Sequence, residues 1–222
     1  PETLADQVVV VRVDYNLPLN RDGEVVDDTR LVRTLPTLQY LVEAGAKAVL
    51  LSHLGRPGGR PDPALSLRPV AGKLEEFLGY PVGFCLMTTG PQAQEAVQGM
   101  KSGEVLLLEN TRFCPEDARN DAEWAEEISF ETKLFVNDAF GTAHRAHAST
   151  QGVADAVRRC GGDAVAGFLL ERELRFLSDA MADPEHPFVT IIGGAKISNK
   201  IDVIEALLPA VDRLLIGGAM AN

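Results

Sequence analysis

The sequence predicts an α/β protein built on a doubly wound, mostly parallel sheet of the Rossmann-like three-layer type. Short aliphatic runs alternate with longer segments in which apolar residues recur at helical spacing, a pattern typical of repeated strand–helix–strand units. Five of the aliphatic runs end in a cluster that contains a cation: VVVVRVDYN at 8–16, VLLSHLGR at 49–56, VLLLENTR at 105–112, LFVNDAFGTAHR at 134–145 and FVTIIGGAK at 188–196. Because ligands bind at the carboxyl edge of such a sheet, the clusters predict an anion site there.

The elements follow in order along the first part of the chain. We expect strands at 7–13, 47–51, 81–86, 104–109 and 134–138, and helices at 30–44, 67–78, 91–100 and 121–133. The first helix carries leucines at helical spacing, and Gly45 ends it. Right-handed crossovers between the strands then give a parallel sheet.

The periodicity weakens over residues 153–166 and returns in an amphipathic helix at 168–177. A strand at 188–192, a helix at 199–208 and a strand at 213–216 follow. We therefore expect a first domain at 1–166, an interdomain helix at 167–182 and the beginning of a second α/β domain at 183–222. The sequence stops directly after a strand, so we expect the second domain to be truncated.

The composition limits the classes of function. The 222 residues include 32 acidic and 21 basic side chains and carry a formal net charge of −11. A general nucleic-acid binder needs the opposite balance, because phosphate neutralisation dominates its affinity, so any anion site must be local. Three cysteines without a CxxC pair predict neither a disulfide framework nor a zinc cluster. Without a long apolar run or a basic leader, we expect a cytoplasmic protein with no membrane span.

The segment RVDYN places three polar side chains, Arg12, Asp14 and Asn16, on one side of an extended chain. Together they offer donors and an orienting carboxylate to an anion. Asp14 and Asn16 are also common turn formers before a proline such as Pro18. The residues alone leave both interpretations open.

The segment DDTR begins the first helix, and either Asp28 or Thr29 is expected to cap it. Arg30 then lies near the positive helix end, which is unfavourable by about 0.3–1 kcal/mol. This position suits an arginine that faces an anion. A plain surface arginine is the alternative.

The segment SHLGR places His53 and Arg56 around Gly55, which lets the backbone approach a ligand closely. Its content of cationic and titratable groups favours a functional loop. An ordinary turn between a strand and a helix is the alternative.

Two further strand ends carry Arg112 and Arg145. Arg112 lies three residues after Glu109, so a surface ion pair is the alternative to an anion contact. Arg145 lies between His144 and His147, whose spacing imitates part of a zinc site. No third ligand is evident in the sequence, and a basic helix N-terminus suits phosphate better.

The glycine-rich segment IIGGAKISNK at 191–200 lies between a strand and a helix. It matches neither the Walker A pattern nor GxGxxG. Backbone amides at Gly193, Gly194 and Ala195 can still cradle a phosphate, with Lys196 reaching inward. A tight turn with surface lysines is the alternative.

Together the motifs RVDYNLP, SHLGRP, LLLENTRF, NDAFGTAHRAHAS, GFLLERELRFL, GGAKISNKI and LLIGGAMA resemble those of the phosphoglycerate kinase family, in the family's order and along essentially the whole chain. The resemblance implies a first domain that binds 3-phosphoglycerate and a second that binds Mg²⁺ with ATP or ADP. It implies reversible phosphoryl transfer between 1,3-bisphosphoglycerate and ADP in glycolysis, with closure about the connecting helix. A monomer that binds neither nucleic acid nor membrane is expected.

By motif, the resemblance assigns 3-phosphoglycerate contacts to Asp14, Asn16, Arg30, His53, Arg56, Arg112 and Arg145. Arg30 and Lys196 are the implied catalytic residues, one from each domain. The implied nucleotide contacts are Lys196, Lys200, Gly217 and Gly218, and no residue is assigned to a metal.

Two positions depart from the family pattern: Asn199 stands where Asp is frequent, and Asn222 where an aromatic residue is usual. The later segments that complete the nucleotide domain, and the family's C-terminal tail, are absent from the sequence. We therefore expect the chain alone to bind 3-phosphoglycerate but to be inactive or nearly so. A stand-alone anion-binding module without catalysis and an inert structural fragment are the alternatives.

Overall fold

The computed structural model describes residues 4–20, 22–182, 184–194 and 200–221. The chain forms two compact units, Pro1–Glu171 and Arg172–Asn222, which we call the first unit and the second unit. The predicted residues Lys196 and Asn199, the cradle residue Ala195 and the terminal Asn222 lie outside the described part.

The first unit contains a six-stranded sheet in which every pair of neighbouring strands is parallel. Its strands are β1 (Val8–Val13), β2 (Lys47–Leu51), β3 (Val82–Cys85), β4 (Val105–Leu108), β5 (Leu134–Asp138) and β6 (Asp163–Ala166). They lie in the order β3-β4-β2-β1-β5-β6. This topology confirms the predicted doubly wound parallel sheet.

Helices cover both faces of the sheet. The first unit contains α1 (Thr29–Glu43), α2 (Arg68–Leu78), α3 (Gly90–Gln98), α4 (Pro115–Ala118), α5 (Ala122–Glu127), α6 (Phe140–Ala143) and α7 (Val153–Arg159), and α8 (Phe168–Ala182) follows β6. Leucines of α1 and α2 pack with Val9, Val11 and Val13 on one face, and side chains of α3, α5 and α7 pack with Val10 on the other. Because both faces are buried, the central strands read as continuous aliphatic runs.

Two elements depart from the sequence prediction. The segment 153–166, which lacks a strong pattern, forms α7 and the edge strand β6. Strand β6 has short, largely exposed residues, so it carries little of the hydrophobic signal on which strand prediction depends. The predicted helix at 121–133 ends at Glu127, and Phe130 and Glu131 adopt positive φ angles that no helix contains.

The order of the strands places a topological switch point between β1 and β5. The chain leaves β1 toward α1 on one face of the sheet, and it leaves β5 toward α7 on the opposite face. The loops that follow β1 and β5 therefore diverge and leave a crevice at the carboxyl edge of the sheet, the usual place for a ligand in this class of fold.

The second unit has a two-stranded parallel sheet of β7 (Val189–Gly193) and β8 (Arg213–Gly217), connected by α9 (Ile201–Leu207). This strand–helix–strand unit agrees with the predicted beginning of an α/β domain. The division between the units falls within α8, and the predicted domain boundaries at 166/167 and 182/183 stay predictions. Among the described residues, no helix combines the length and the apolar character that a membrane crossing requires.

Two glycine substitutions test the packing of the first unit. A Cβ atom on Gly162 would lie 2.6 Å from the carbonyl oxygen of Lys133, whereas one on Gly72, in α2, would meet nothing within 4 Å. We expect Gly162→Ala to lower the free energy of unfolding by about 1–3 kcal/mol through overpacking. Gly72→Ala, the matched control, should raise it by roughly 0.5–1 kcal/mol through helix propensity. Urea unfolding of both variants measures the difference, and effects of the same sign would contradict the described turn before β6.

Candidate functional site

A cavity of about 250 Å³ opens at the carboxyl edge of the first unit's sheet, at the switch point. The loops after β1, β2, β4 and β5 and the first turn of α1 surround it. We call it the arginine cavity, and its lining residues are Asp14, Asn16, Arg30, His53, Gly55, Arg56, Arg112, Gly141, Thr142 and Arg145. The structure thus brings together all seven residues that the motifs assigned to one substrate, although they span more than 130 positions of the sequence.

Asp14 and Asn16 orient their neighbours in this cavity. Asp14 Oδ2 accepts a hydrogen bond of 2.7 Å from Arg30 Nη1, and Asn16 Oδ1 accepts one of 2.9 Å from the amide of Gly55. A Cβ atom at Gly141 would lie 2.8 Å from Asp14 Oδ2, so a glycine at this position leaves the carboxylate in place. The two side chains therefore do more than form a turn.

The first turn of α1 differs in detail from the prediction. Asp28 occupies the N-cap position, but its side chain makes no capping hydrogen bond. Instead, Asp27 Oδ1 accepts a bond of 2.9 Å from the amide of Thr29. Arg30 keeps 51% of its side chain exposed, and Asp14 supplies the negative charge that offsets its unfavourable position at the helix start.

Arg12 does not face the cavity, in contrast to the predicted alignment with Asp14 and Asn16. Its side chain is buried, with 2% exposure of the residue. The guanidinium donates to the carbonyl oxygens of Val13 and Leu51 and, over 3.1 Å, to Nδ1 of His53. Burial lowers the pKa of Arg12, an effect that the nearby carboxylates of Asp117 and Asp14 oppose. Arg12 therefore contributes to the site indirectly, through its hydrogen bond to His53, which lines the cavity.

The contact with Arg12 determines the state of His53. A guanidinium can only donate, so Nδ1 of His53 must be an unprotonated acceptor and the ring proton resides on Nε2. Burial, together with the charges of Arg12, Arg112, Arg145 and Arg30, lowers the pKa of His53 to about 2. A neutral His53 offers Nε2–H as a fixed hydrogen-bond donor. Its distance of 3.9 Å to Asp14 is thus not an ion pair at neutral pH.

Arg112 and Glu109 do not form the surface pair that was the alternative to an anion contact. Glu109 is buried, and its carboxylate accepts bonds from Ser66 Oγ and from the amides of Leu67 and Asn110. Arg112 Nη1 instead donates 2.7 Å to the carbonyl oxygen of Gly55. Glu109 and Arg112 therefore bond two separate points of the connection between β2 and α2.

A second cavity of about 360 Å³ adjoins the first. Both cavities share Arg56, Arg112 and Arg145, and the second also includes His147 and Cys114. Burial and the charge of Arg145 lower the pKa of Arg112, as expected where guanidinium groups converge. The shared arginines make one positive surface on a chain whose net charge is −11, and such a surface suits a compact polyanion.

The second unit places its predicted residues at the carboxyl end of β7 and β8. Gly193 and Gly217 are register partners, and Lys200 precedes α9. A Cβ atom on Gly218 would lie 3.3 Å from the backbone of Gly194, so the two strand-end loops approach each other closely. Within the described ranges, no group of three His, Cys, Asp or Glu side chains is arranged to hold a metal ion.

Sequence reasoning missed two contributors to the site. Thr142 lines the arginine cavity, and Asn110 bonds the backbone of Leu54 through both ends of its amide. Asn110 is part of the ENTRF motif, so the motif could have indicated that this residue contributes to the site. Nothing in the sequence distinguishes Thr142 from an ordinary residue of a helical turn.

The family model for phosphoglycerate kinase matches residues 2–222. The phosphoglycerate kinase of Akkermansia muciniphila is 52% identical over 214 residues, and that of Chloroflexus aggregans is 54% identical over 220 residues. These alignments cover 96% and 98% of the chain but 52% and 54% of the relatives. The chain thus spans about half the length of the curated relatives it matches.

Solved structures give the same result. The phosphoglycerate kinase from Coxiella burnetii has a TM-score of 0.83 at 39% identity, and that from Pyrococcus horikoshii has a TM-score of 0.85 at 34% identity. Each match covers 99% of the chain and 54% or 55% of the solved protein.

The low pKa of His53 predicts a loss of stability in acid. The unfolded chain protonates this histidine near pH 6.5, whereas the folded chain keeps it neutral down to about pH 2. The unfolded state therefore binds more protons in this interval, and the free energy of unfolding falls as the pH drops below 6.5. Between pH 7 and pH 5 the wild type should lose roughly 2 kcal/mol more than His53→Gln.

Urea unfolding at the two pH values measures this difference. His144→Gln, which removes an exposed histidine, is the control variant. Equal losses in the wild type and in His53→Gln would contradict a neutral, buried His53.

Proposed function

Because the chain belongs to the phosphoglycerate kinase family, we propose that its arginine cavity binds 3-phosphoglycerate and serves reversible phosphoryl transfer between 1,3-bisphosphoglycerate and ADP. One observation carries the proposal: all seven residues assigned by motif to this substrate line one cavity at the switch point of the sheet. The ligand has a phosphate and a carboxylate, and the cavity offers arginines together with a neutral histidine donor. Bidentate guanidinium contacts suit both groups.

The chemistry of the reaction explains why the site is rich in cations. When ATP phosphorylates 3-phosphoglycerate, the acceptor is a carboxylate. This group is already ionised at neutral pH, so no general base has to remove a proton. The protein has to align two anions and stabilise a loose transition state whose charge is spread over the phosphoryl oxygens. His53 fits this scheme as a donor through Nε2, because Arg12 occupies Nδ1.

Arg30 is the residue of the cavity to which we assign stabilisation of the transferring phosphoryl group. Its guanidinium is half-exposed and oriented by Asp14, so it is held in place and still open to a ligand. Related phosphoryl transfers gain roughly 10³–10⁵ in rate from such an arginine. Arg56, Arg112 and Arg145 are then the contacts that hold the substrate's own phosphate.

The nucleotide half of the proposal concerns the second unit. We assign ATP and ADP contacts to Lys200, Gly217 and Gly218, and to Lys196, which lies outside the described residues. The close approach of Gly218 to the backbone of Gly194 supports this assignment, since glycines let a backbone approach phosphate groups. Mg²⁺ would accompany the nucleotide and neutralise its phosphates, but the described residues provide no group of metal ligands, and we assign none. A monomeric, cytoplasmic enzyme stays a prediction from the sequence.

Calorimetric titration with 3-phosphoglycerate tests the substrate. Arg56→Ala removes a cation that lines both cavities and should weaken binding by about 1.5–3 kcal/mol, the usual value of a charged hydrogen bond. Arg60→Ala is the matched control, because Arg60 is an exposed arginine of the same loop that lines neither cavity. Similar affinities of the two variants, or no binding by the wild type, would refute the proposed site.

A stand-alone anion-binding module is the second candidate, since all seven site residues lie in the first unit. It would bind 3-phosphoglycerate without catalysis. A coupled assay of ATP formation separates the two candidates in the protein as expressed at its natural length. We expect the 222-residue chain alone to turn over slowly or not at all, because it spans about half the length of its relatives.

A further inference from the structure

A buried carboxylate lies beneath the arginine cavity without lining it. Asp117, in α4, has an exposure of 1%. Its Oδ2 accepts a hydrogen bond of 2.9 Å from Thr111 Oγ1, and its Oδ1 accepts one of 2.9 Å from the amide of Ser149. These two partners are 38 positions apart in the sequence, so this one side chain connects two separate loops of the first unit.

The first of these loops carries Arg112. Thr111 directly precedes it in the turn Thr111–Phe113 and is itself fully buried. The amide of Thr111 donates 3.0 Å to the carbonyl oxygen of Ser52, which precedes His53. The bond from Thr111 Oγ1 to Asp117 therefore fixes the turn that presents Arg112 to the cavity.

The second loop carries Arg145. The carbonyl oxygen of Arg145 accepts bonds from the amide of His147, at 3.0 Å, and from Thr150 Oγ1, at 2.8 Å. Ser149 lies in the same tight segment, Ala148–Gly152. The bond from the Ser149 amide to Asp117 therefore holds the segment that follows Arg145.

The charge of Asp117 also acts on the site. Burial lowers the pKa values of Arg12, Arg112 and His147, and the carboxylate of Asp117 opposes this effect in each case. His147 Nδ1 lies 3.7 Å from Asp117 Oδ2. Cations that lie close together repel each other, and a nearby negative charge offsets the energy of this repulsion. Asp14 does this at the surface of the cavity, and Asp117 does it from the buried side.

We propose that Asp117 is a positioning residue: by bonding the loops that carry Arg112 and Arg145, it keeps these two arginines at the separation needed to bind one phosphate group. The inference rests on the proposed function, because that function supplies the phosphate. The inference goes beyond that function because it assigns a role to a residue that does not contact the substrate. This role could not be predicted from the sequence, since Asp117 and the half-buried Glu116 beside it both look like first-turn acids of a helix.

Two roles of Asp117 make opposite predictions for the isosteric variant Asp117→Asn. If Asp117 were only a distant negative charge, its removal would make the cavity more positive and tighten anion binding. If it holds the two arginine loops, its removal weakens binding, because one of its two acceptor oxygens becomes an amide donor and the bond to one of the loops is lost.

The test is a calorimetric titration of 3-phosphoglycerate into the wild type and variants, with folding checked by circular dichroism at the same temperature. We expect Asp117→Asn to weaken binding tenfold or more and Asp117→Glu, which restores the charge, to recover part of the loss. Glu116→Gln removes the same charge one residue away, from a surface pair with Arg119, and should change the affinity less than twofold. If Asp117→Asn does not fold, Thr111→Val removes one of the two bonds and should weaken binding by threefold or more.

Each outcome decides the inference. Unchanged or tighter binding by Asp117→Asn overturns it, and so does an equal loss in Glu116→Gln. If the wild type binds inorganic phosphate but not 3-phosphoglycerate, the proposed substrate is wrong, and a tenfold weaker binding of phosphate by Asp117→Asn still supports the positioning role. A wild type that binds neither anion overturns both proposals.

Discussion

The candidate site depends on the hydrogen bonds that the buried guanidinium of Arg12 makes. This guanidinium lies near the end of the central strand and bonds the carbonyl oxygen of Leu51 at the end of the neighbouring strand and Nδ1 of His53 beyond it. A buried cation is costly unless it is well bonded, so these contacts restrict how the ends of β1 and β2 can be arranged. They also leave His53 neutral, with its proton directed away from Arg12. A side chain in the core of the sheet thus determines which ring nitrogen of His53 can donate a hydrogen bond in the site.

The site also shows how a chain with a net charge of −11 can offer a positive cavity. Parallel strands bring four loops to one edge, and three of these loops, together with the first turn of α1, contribute cations from distant parts of the sequence. Asp14 bonds Arg30 directly, and Asp117 bonds Thr111 and Ser149 in the loops that carry Arg112 and Arg145. The positive field at the cavity is therefore local and results from the topology, whereas the net charge describes the whole chain.

The sequence predicted the cavity well because strand ends are easy to recognise. Where an aliphatic run stops, the next polar residues lie at the sheet edge, and this rule located Asp14, His53, Arg112 and Arg145. It failed for Arg12, which is still inside the strand and points into the core. The edge strand β6 was missed because it buries little, and Asp117 was missed because burial of a carboxylate depends on tertiary partners that a single sequence does not reveal.

Nitrogen-15 NMR of the His53 ring tests the central claim most directly. If Arg12 donates to Nδ1, the ring is neutral between pH 5 and pH 8, with a protonated Nε2 and an unprotonated Nδ1. In Arg12→Met the ring should lose this fixed tautomer and titrate at a higher pH, because the donor and a neighbouring positive charge are both removed. A wild-type His53 that is doubly protonated near pH 6, or that carries its proton on Nδ1, would contradict the account.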